Sequence, residues 1–223
     1  MTGARAPSSP MQAMAMDGFA GPQAIRARAL PVPVPGPGEA LVQIAAVGVN
    51  PADWKACAGF LPFLPQGFLP LIPGFDGTGT VVATGEGVEG LEPGDRVAFM
   101  SALPLGRGGT WGDYAICLAA QAVALPDSLC CVEAATIPVP GISAREALLA
   151  QGQLQPGERV LINGGSGGTG LWAIQIAREC GAHVAATAGP ANQQLLTALG
   201  VACPIAYRQK EVAQKGASWA PGG

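Results

Sequence analysis

The sequence predicts an α/β chain in which a β-rich domain precedes part of a doubly wound parallel sheet. Three observations predict it. Short runs rich in Val and Ala, separated by Gly and Pro turns, fill the region up to about Leu125. From Arg159 the pattern becomes strand, glycines, helix, strand, helix, strand, which argues for parallel pairing. The first turn of that series carries Gly165-x-Gly167-x-x-Gly170, between a run that looks like a buried strand and a helix.

The elements follow in order. Residues 1–10 are small and polar and read as a loose extension. Pro31 to Gly38 alternates proline with Val and Gly and is extended. Strands are expected at Ala40–Val47, Gly79–Thr84, Arg96–Met100 and Thr110–Leu118, with Glu92-Pro93-Gly94-Asp95 as a turn. The break between domains is expected after residue 126, so that 11–126 form the first domain and 127–223 the second. Asp127-Ser128 caps an expected helix to about Thr136, and Ser143–Gln151 reads as another, ended by Gly152. The parallel series is then strand Arg159–Asn163, helix Thr169–Cys180, strand His183–Ala188, helix Asn192–Leu199 and a weaker strand Val201–Tyr207. Lys210–Gly223 shows no clear element.

Composition narrows the function classes. The 223 residues suit one large domain or two small ones, and 49% hydrophobic against 12% charged residues fits a chain with a real core. A net charge of -3 gives no reason to expect nucleic acid as a partner. Cys57 to Phe75 is free of charge, but Pro62, Pro65, Pro70 and Pro73 interrupt it, so an apolar loop is expected and no membrane span. The six cysteines form no CxxC pair and no secretory signal precedes them. They read as reduced, mostly buried thiols of an intracellular protein, with a cytoplasmic location the expectation.

Gly165, Gly167 and Gly170 carry the strongest chemical signal. Glycines let the backbone turn sharply and approach a pyrophosphate, and the free N–H groups at the helix start hold its charge. The end of the next strand, Thr187-Ala188-Gly189, is where a ribose is read, and an Asp or Glu there marks NAD. No acidic residue lies between Glu179 and Glu211, which favours NADPH, although no Arg or Lys stands at the strand end either. Tyr207, Arg208 and Lys210 are the nearest candidates for phosphate contact.

Four motifs together carry a resemblance: Val47-Gly48-Val49-Asn50-Pro51-Ala52-Asp53-Trp54-Lys55, Pro73-Gly74-Phe75-Asp76-Gly77-Thr78-Gly79, Gly94-Asp95-Arg96-Val97, and Gly164 to Gly170. On them the chain, from about Met11 to Arg208, resembles the zinc-free quinone oxidoreductase branch of the medium-chain dehydrogenase/reductase superfamily. The Asn50-Pro51-x-Asp53-Trp54-Lys55 run is most similar to plant and algal alkenal/one and chloroplast-envelope quinone reductase homologues. The resemblance implies a GroES-like β domain followed by a Rossmann domain, with a quinone or enone held between them and reduced by NADPH, and allows association with the chloroplast. It implies that Asn50 lines the cleft and that Lys55 contacts the cofactor, polarises a carbonyl or supplies a proton. It also implies that Ser143 lies near the cofactor, that Gly168 and Thr169 touch the pyrophosphate, and that Tyr207 packs near the adenosine. Trp54 and the stretch from Phe60 to Phe68 would wall the site of a flat apolar substrate.

Zinc relatives place Cys near Asn50 and His near Phe75; neither is present, and no tetrahedral N/S site can be assembled, so no metal is expected. Two departures stand out. Relatives often carry Arg where this chain has Ala191, a residue that would grip the 2′-phosphate. The residues from Arg159 onward also suffice for three strands only, where the complete fold has about six. The resemblance therefore implies a chain cut short at its C-terminus. Its first parallel strand would be an exposed edge that invites pairing with a second copy. Beside the reductase stands the alternative of a catalytically inactive nucleotide-binding or scaffold protein of the same family.

Overall fold

A computed structural model describes residues 9–64, 68–207 and 219. The chain divides into two compact units, one up to Val139 and one from Pro140, where the sequence placed the break after residue 126.

The first unit is built on strands β1 (Met11–Ala15), β2 (Arg26–Leu30), β3 (Glu39–Val47), β4 (Asp76–Thr84), β5 (Arg96–Met100), β6 (Tyr114–Leu118) and β7 (Ala122–Ala124). β1 and β2 form an antiparallel hairpin, and the others form one antiparallel sheet in the order β6-β3-β4-β5-β7. The sheet buries both faces. Val42, Val81, Val97, Phe99 and Ala115 pack on one side, and Leu41, Ala83, Ala102 and Ile116 on the other. That is why β3 reads as a nearly continuous apolar run and not as an alternation.

Several strand limits differ from the sequence expectation. β4 begins at Asp76, not Gly79. Its glycines permit close strand approach: a Cβ at Gly79 would lie 2.0 Å from the carbonyl oxygen of Gln43 on β3. β6 begins at Tyr114, because the residues before it bond to β1 instead: the Trp111 carbonyl accepts the Met14 N–H, and the Asp113 N–H donates to the Gln12 carbonyl. β1 and β2, short and rich in Ala, Met and Arg, were not expected as strands.

Helix α1 (Pro51–Cys57) follows β3, and α2 (Cys131–Ala134) follows β7. The cap of α2 is Cys130 and not Asp127-Ser128. Helix α3 runs over Pro138–Arg145, starting five residues before the expected Ser143, and continues as a π-helical stretch over Glu146–Gln151. Prolines 138 and 140 sit in its first turn, where a missing N–H costs nothing, so they open the helix and do not block it. Of the six cysteines only Cys57 and Cys117 are buried, so the expectation of mostly buried thiols fails.

The second unit holds a parallel sheet of β8 (Arg159–Ile162), β9 (His183–Ala188) and β10 (Cys203–Ala206) in the order β10-β9-β8. α4 (Gly168–Glu179) links β8 to β9, and α5 (Gln193–Ala198) links β9 to β10. The alternation expected from the sequence is present, with β10 shorter at both ends. Ile174 and Ala177 of α4, Leu196 of α5 and Val184 and Ala186 of β9 make the core. Among the described residues β8 pairs with β9 alone, and Leu161 is 46% exposed on that edge strand. Among the described residues no helix is long and apolar enough to cross a membrane.

Candidate functional site

In the first unit the chemistry gathers around the start of α1. Asn50 is the N-cap with extended backbone, and Pro51 occupies the first helical position, where its fixed φ is already helical. Three residues on, Asp53 reaches back: its carboxylate accepts the Asn50 backbone N–H at 2.5 Å and that of Phe75 at 3.2 Å. Asp53 is fully buried. Burial pushes its pKa up to about 6, the negative charge of Asp76 adds to the rise, and the N–H donors from Asn50 and Phe75 oppose it. The Cys57 thiol below it is pushed up to about 11 by burial and by the Asp53 charge, so it is inert at neutral pH.

Asp76, the first residue of β4, is also fully buried. One carboxylate oxygen accepts the Asn50 side-chain N–H at 2.8 Å, and the other accepts the Val139 backbone N–H, also at 2.8 Å. Burial raises its pKa, against the effect of these two donors. Neither aspartate was assigned a role from the sequence. Asp53 was detectable, since a good N-cap followed three residues later by a carboxylate, with Pro between, marks a helix start.

Lys55 is exposed on α1, with its ammonium 6.0 Å from the centre of the Trp54 ring. Trp54 meets Phe60 edge to face at 5.9 Å, and both rings, with Phe63, are exposed. The expected apolar wall is therefore an open aromatic surface over the residues described; 65–67 lie outside them. A cavity of about 440 Å³ elsewhere in this unit is lined by Met14, Ala46, Val47 and Trp111, and by neither Asn50 nor Lys55. Phe75 packs in the core with Met16 and Leu71. Among the described residues no three His, Cys, Asp or Glu side chains group as a metal site.

The second unit builds its site from backbone. Gly164 turns with φ +76°. Its N–H is held by the Thr187 hydroxyl at 3.0 Å, and the Gly165 N–H by the Thr187 carbonyl at 2.7 Å. Gly165 and Gly170 are required by packing. A Cβ at Gly165 would lie 2.8 Å from that of Ala186, and one at Gly170 only 2.2 Å from the Gly164 oxygen. Gly167 and Gly168 are different: a Cβ there would meet nothing nearer than 3.4 and 3.7 Å. Space therefore stands open over the first turn of α4, whose cap is Gly167 and where Thr169 is exposed. This geometry fits a dinucleotide pyrophosphate, with free N–H groups and the positive end of a 12-residue helix facing it.

The strand end beyond it differs from the expectation. Ala188 is fully buried in the core, so it offers a ligand no side chain. The first partly open position is Gly189, and a Cβ there would lie 3.3 Å from the hydroxyl of Tyr207, which is exposed. The Gln193 side chain ties this end together by donating to the carbonyls of Ala188 and Gly189. Asn192 donates to the Ser166 hydroxyl at 3.1 Å, joining the glycine loop to the segment after β9. Ser143 is exposed on α3. Arg208 and Lys210 lie outside the described residues.

Comparison with known proteins agrees with both halves of this arrangement. Residues 36–127 match the family described as Alcohol dehydrogenase GroES-like domain. The chain is 35% identical over 208 residues to the chloroplastic quinone-oxidoreductase QR1 of Triphysaria versicolor, covering 90% of this chain and 62% of the relative. It is 35% identical to the trans-enoyl reductase pgmF of Aspergillus terreus, covering 78% of this chain and 50% of that protein. Its fold superposes on a crystal structure of an NAD-dependent alcohol dehydrogenase with a TM-score of 0.84 at 32% identity, covering 95% of this chain and 68% of the other. The chain thus spans about half to two-thirds of the length of these relatives. A GroES-like antiparallel unit followed by a glycine-loop parallel unit, with relatives of this kind along nearly its whole length, makes the chain a member of the medium-chain dehydrogenase/reductase superfamily.

Proposed function

We propose that this chain carries the substrate and nucleotide machinery of an NADPH-dependent reductase of quinones or α,β-unsaturated carbonyls that works without zinc. The observation that carries the reading is the open cradle at Gly167 and Gly168, followed by a strand end without a carboxylate at Gly189. NADPH, when bound, supplies the hydride. The glycine loop and the start of α4 hold its pyrophosphate, and Thr187 fixes the loop by bonding Gly164 and Gly165. With no negative charge at the strand end, a 2′-phosphate is not repelled; Tyr207 packs beside the adenosine. Ser143 contacts the same cofactor.

In the first unit, Asn50 binds the carbonyl oxygen of the substrate through its side-chain amide, and Lys55 polarises that carbonyl, supplies the proton or contacts the cofactor. Trp54 and Phe60 offer a flat aromatic surface to a quinone. The substrate class is supported by the quinone-oxidoreductase and trans-enoyl-reductase relatives. The independence from metal is supported by Asn50 and Phe75 standing where zinc relatives place Cys and His. A cytoplasmic or chloroplast location and self-association through the β8 edge extend the same reading.

The test is NADPH oxidation by the purified chain with a naphthoquinone and with an aliphatic enone, each repeated with NADH and after treatment with a chelator. Turnover with NADPH that survives chelation is expected. Absence of turnover with every acceptor would refute the reductase reading, and loss on chelation would refute the metal-free mechanism.

A further inference from the structure

Asn50 makes a specific demand on its surroundings. A carboxamide on a half-buried helix cap can rotate and flip, and only fixed partners hold it in one orientation. The structure supplies such a partner in Asp76. One of its carboxylate oxygens accepts the Asn50 side-chain N–H at 2.8 Å. The second carboxylate oxygen is anchored by the Val139 backbone N–H in the first turn of α3. The Asp76 carbonyl accepts from the Thr110 hydroxyl at 2.9 Å and from the Gly48 N–H at 3.3 Å. Room for the carboxylate exists because residue 48 has no side chain: a Cβ there would lie 2.2 Å from the Asp76 oxygen. Asp53 meanwhile fixes the backbone of the same Asn50.

We propose that Asp76 is a positioning residue: it holds the Asn50 amide in one orientation through the Nδ2–Oδ1 hydrogen bond, leaving the other amide N–H for the substrate. The inference rests on the reading of Asn50 as a substrate-contacting residue. It assigns the orientation of that residue to a buried carboxylate that makes no substrate contact itself. An amide at position 76 cannot do the same. It has one acceptor oxygen for two donors, so either the Asn50 amide turns over or the Val139 N–H loses its partner.

The test combines a spectroscopic signature with kinetics. The side-chain amide of Asn50 is assigned by comparing ¹H–¹⁵N spectra of the parent chain and Asn50→Ala. In the parent at neutral pH, one of its two protons is expected well downfield of the other, as for a donor to a carboxylate. In Asp76→Asn that separation collapses, kcat/KM for the enone falls roughly ten- to a hundredfold, and NADPH affinity stays within about twofold. Two parent amide protons that lie together, or a pair unmoved by Asp76→Asn, would overturn the proposal whatever the activity. The parent spectrum needs no variant at position 76, so it decides the matter even if Asp76→Asn does not fold. A parent with the downfield proton but no turnover of quinone or enone would count against the proposed function and leave the Asp76 assignment supported.

Discussion

The two units hold their candidate residues by opposite means. In the first, buried side chains do the holding: Asp53 fixes the Asn50 backbone and Asp76 its amide, both carboxylates fully buried. In the second, missing side chains do it: Gly165 and Gly170 let strand, loop and helix meet at contact distances no Cβ allows. A buried carboxylate makes a site sensitive to pH and to any change that removes one of its two acceptor oxygens. A glycine cradle is insensitive to pH and intolerant of one added methyl group. The difference also separates two kinds of glycine, those that shape the loop and those that leave room above it.

The largest effect expected from this comparison is Gly170→Ala. Its Cβ would meet backbone at 2.2 Å, which no side-chain rotation relieves. A loss of about 3 kcal/mol of stability or more is expected, together with nucleotide binding. Denaturant unfolding with and without NADPH reads both, and a variant within about 1 kcal/mol of the parent would show that the loop is not held by close packing.

Next is the pH dependence of the first unit. The pKa of Asp53 rises from an ordinary 3.8 to about 6 in the folded chain. The folded state therefore binds more protons than the unfolded state between these values, and stability falls as pH rises through that window. The shift corresponds to roughly 3 kcal/mol, with Asp76 acting in the same direction. Melting temperatures between pH 4 and about 6 should decline, and Asp53→Asn should flatten the curve. A curve that rises over this range, or one that Asp53→Asn leaves unchanged, would contradict the assignment.

A smaller effect concerns the choice of cofactor. Gly189 is partly open with φ −64°, so it accepts a side chain, and the neighbouring Tyr207 hydroxyl belongs to an exposed ring that can give way. Gly189→Asp should shift preference towards NADH by about tenfold, since a carboxylate there repels a 2′-phosphate and accepts from a 2′-hydroxyl. Fluorescence titration with both nucleotides measures it; an unchanged ratio would remove Gly189 from the ribose site. Ala188→Asp, by contrast, would bury a charge in the core and report on folding alone.

The smallest effect is the most diagnostic of the two glycine classes. At Gly168 a Cβ meets only Pro140, at an ordinary 3.7 Å, in the first turn of a helix. Gly168→Ala should therefore leave stability unchanged or raise it by about 0.5 kcal/mol, because the unfolded chain loses freedom. It should weaken NADPH binding, because the methyl group enters the space over the cradle. Unchanged affinity would mean that the pyrophosphate does not approach there.

The parallel unit was the more legible half of the sequence. Its signals are local: a strand, a glycine turn and a helix adjacent in the chain, each with its own periodicity. The antiparallel unit was read less well. Asp76, Gly77 and Thr78 fall outside the expected strand and lie inside β4, where Gly77 and Gly79 let β3 come close. Ala-rich β1 and β2 carry little strand signal of their own and are fixed by pairing with each other. Pro138 and Pro140 look like helix breakers and open α3.

By itself the sequence determined the order of a β-rich and a glycine-loop unit and the cradle from Gly164 to Gly170, because these depend on neighbours within a few positions; Asn50 and Lys55 stood out only through the family resemblance of their motif. Only the tertiary structure decided that Asp76, 26 positions from Asn50, orients its amide, that Ala188 faces the core, and that Gly189 is the open position beside Tyr207. The physical reason is that a buried carboxylate and an inward-facing Ala owe their roles to groups distant in the chain. Burial and partnership are made by packing, and no local pattern records them.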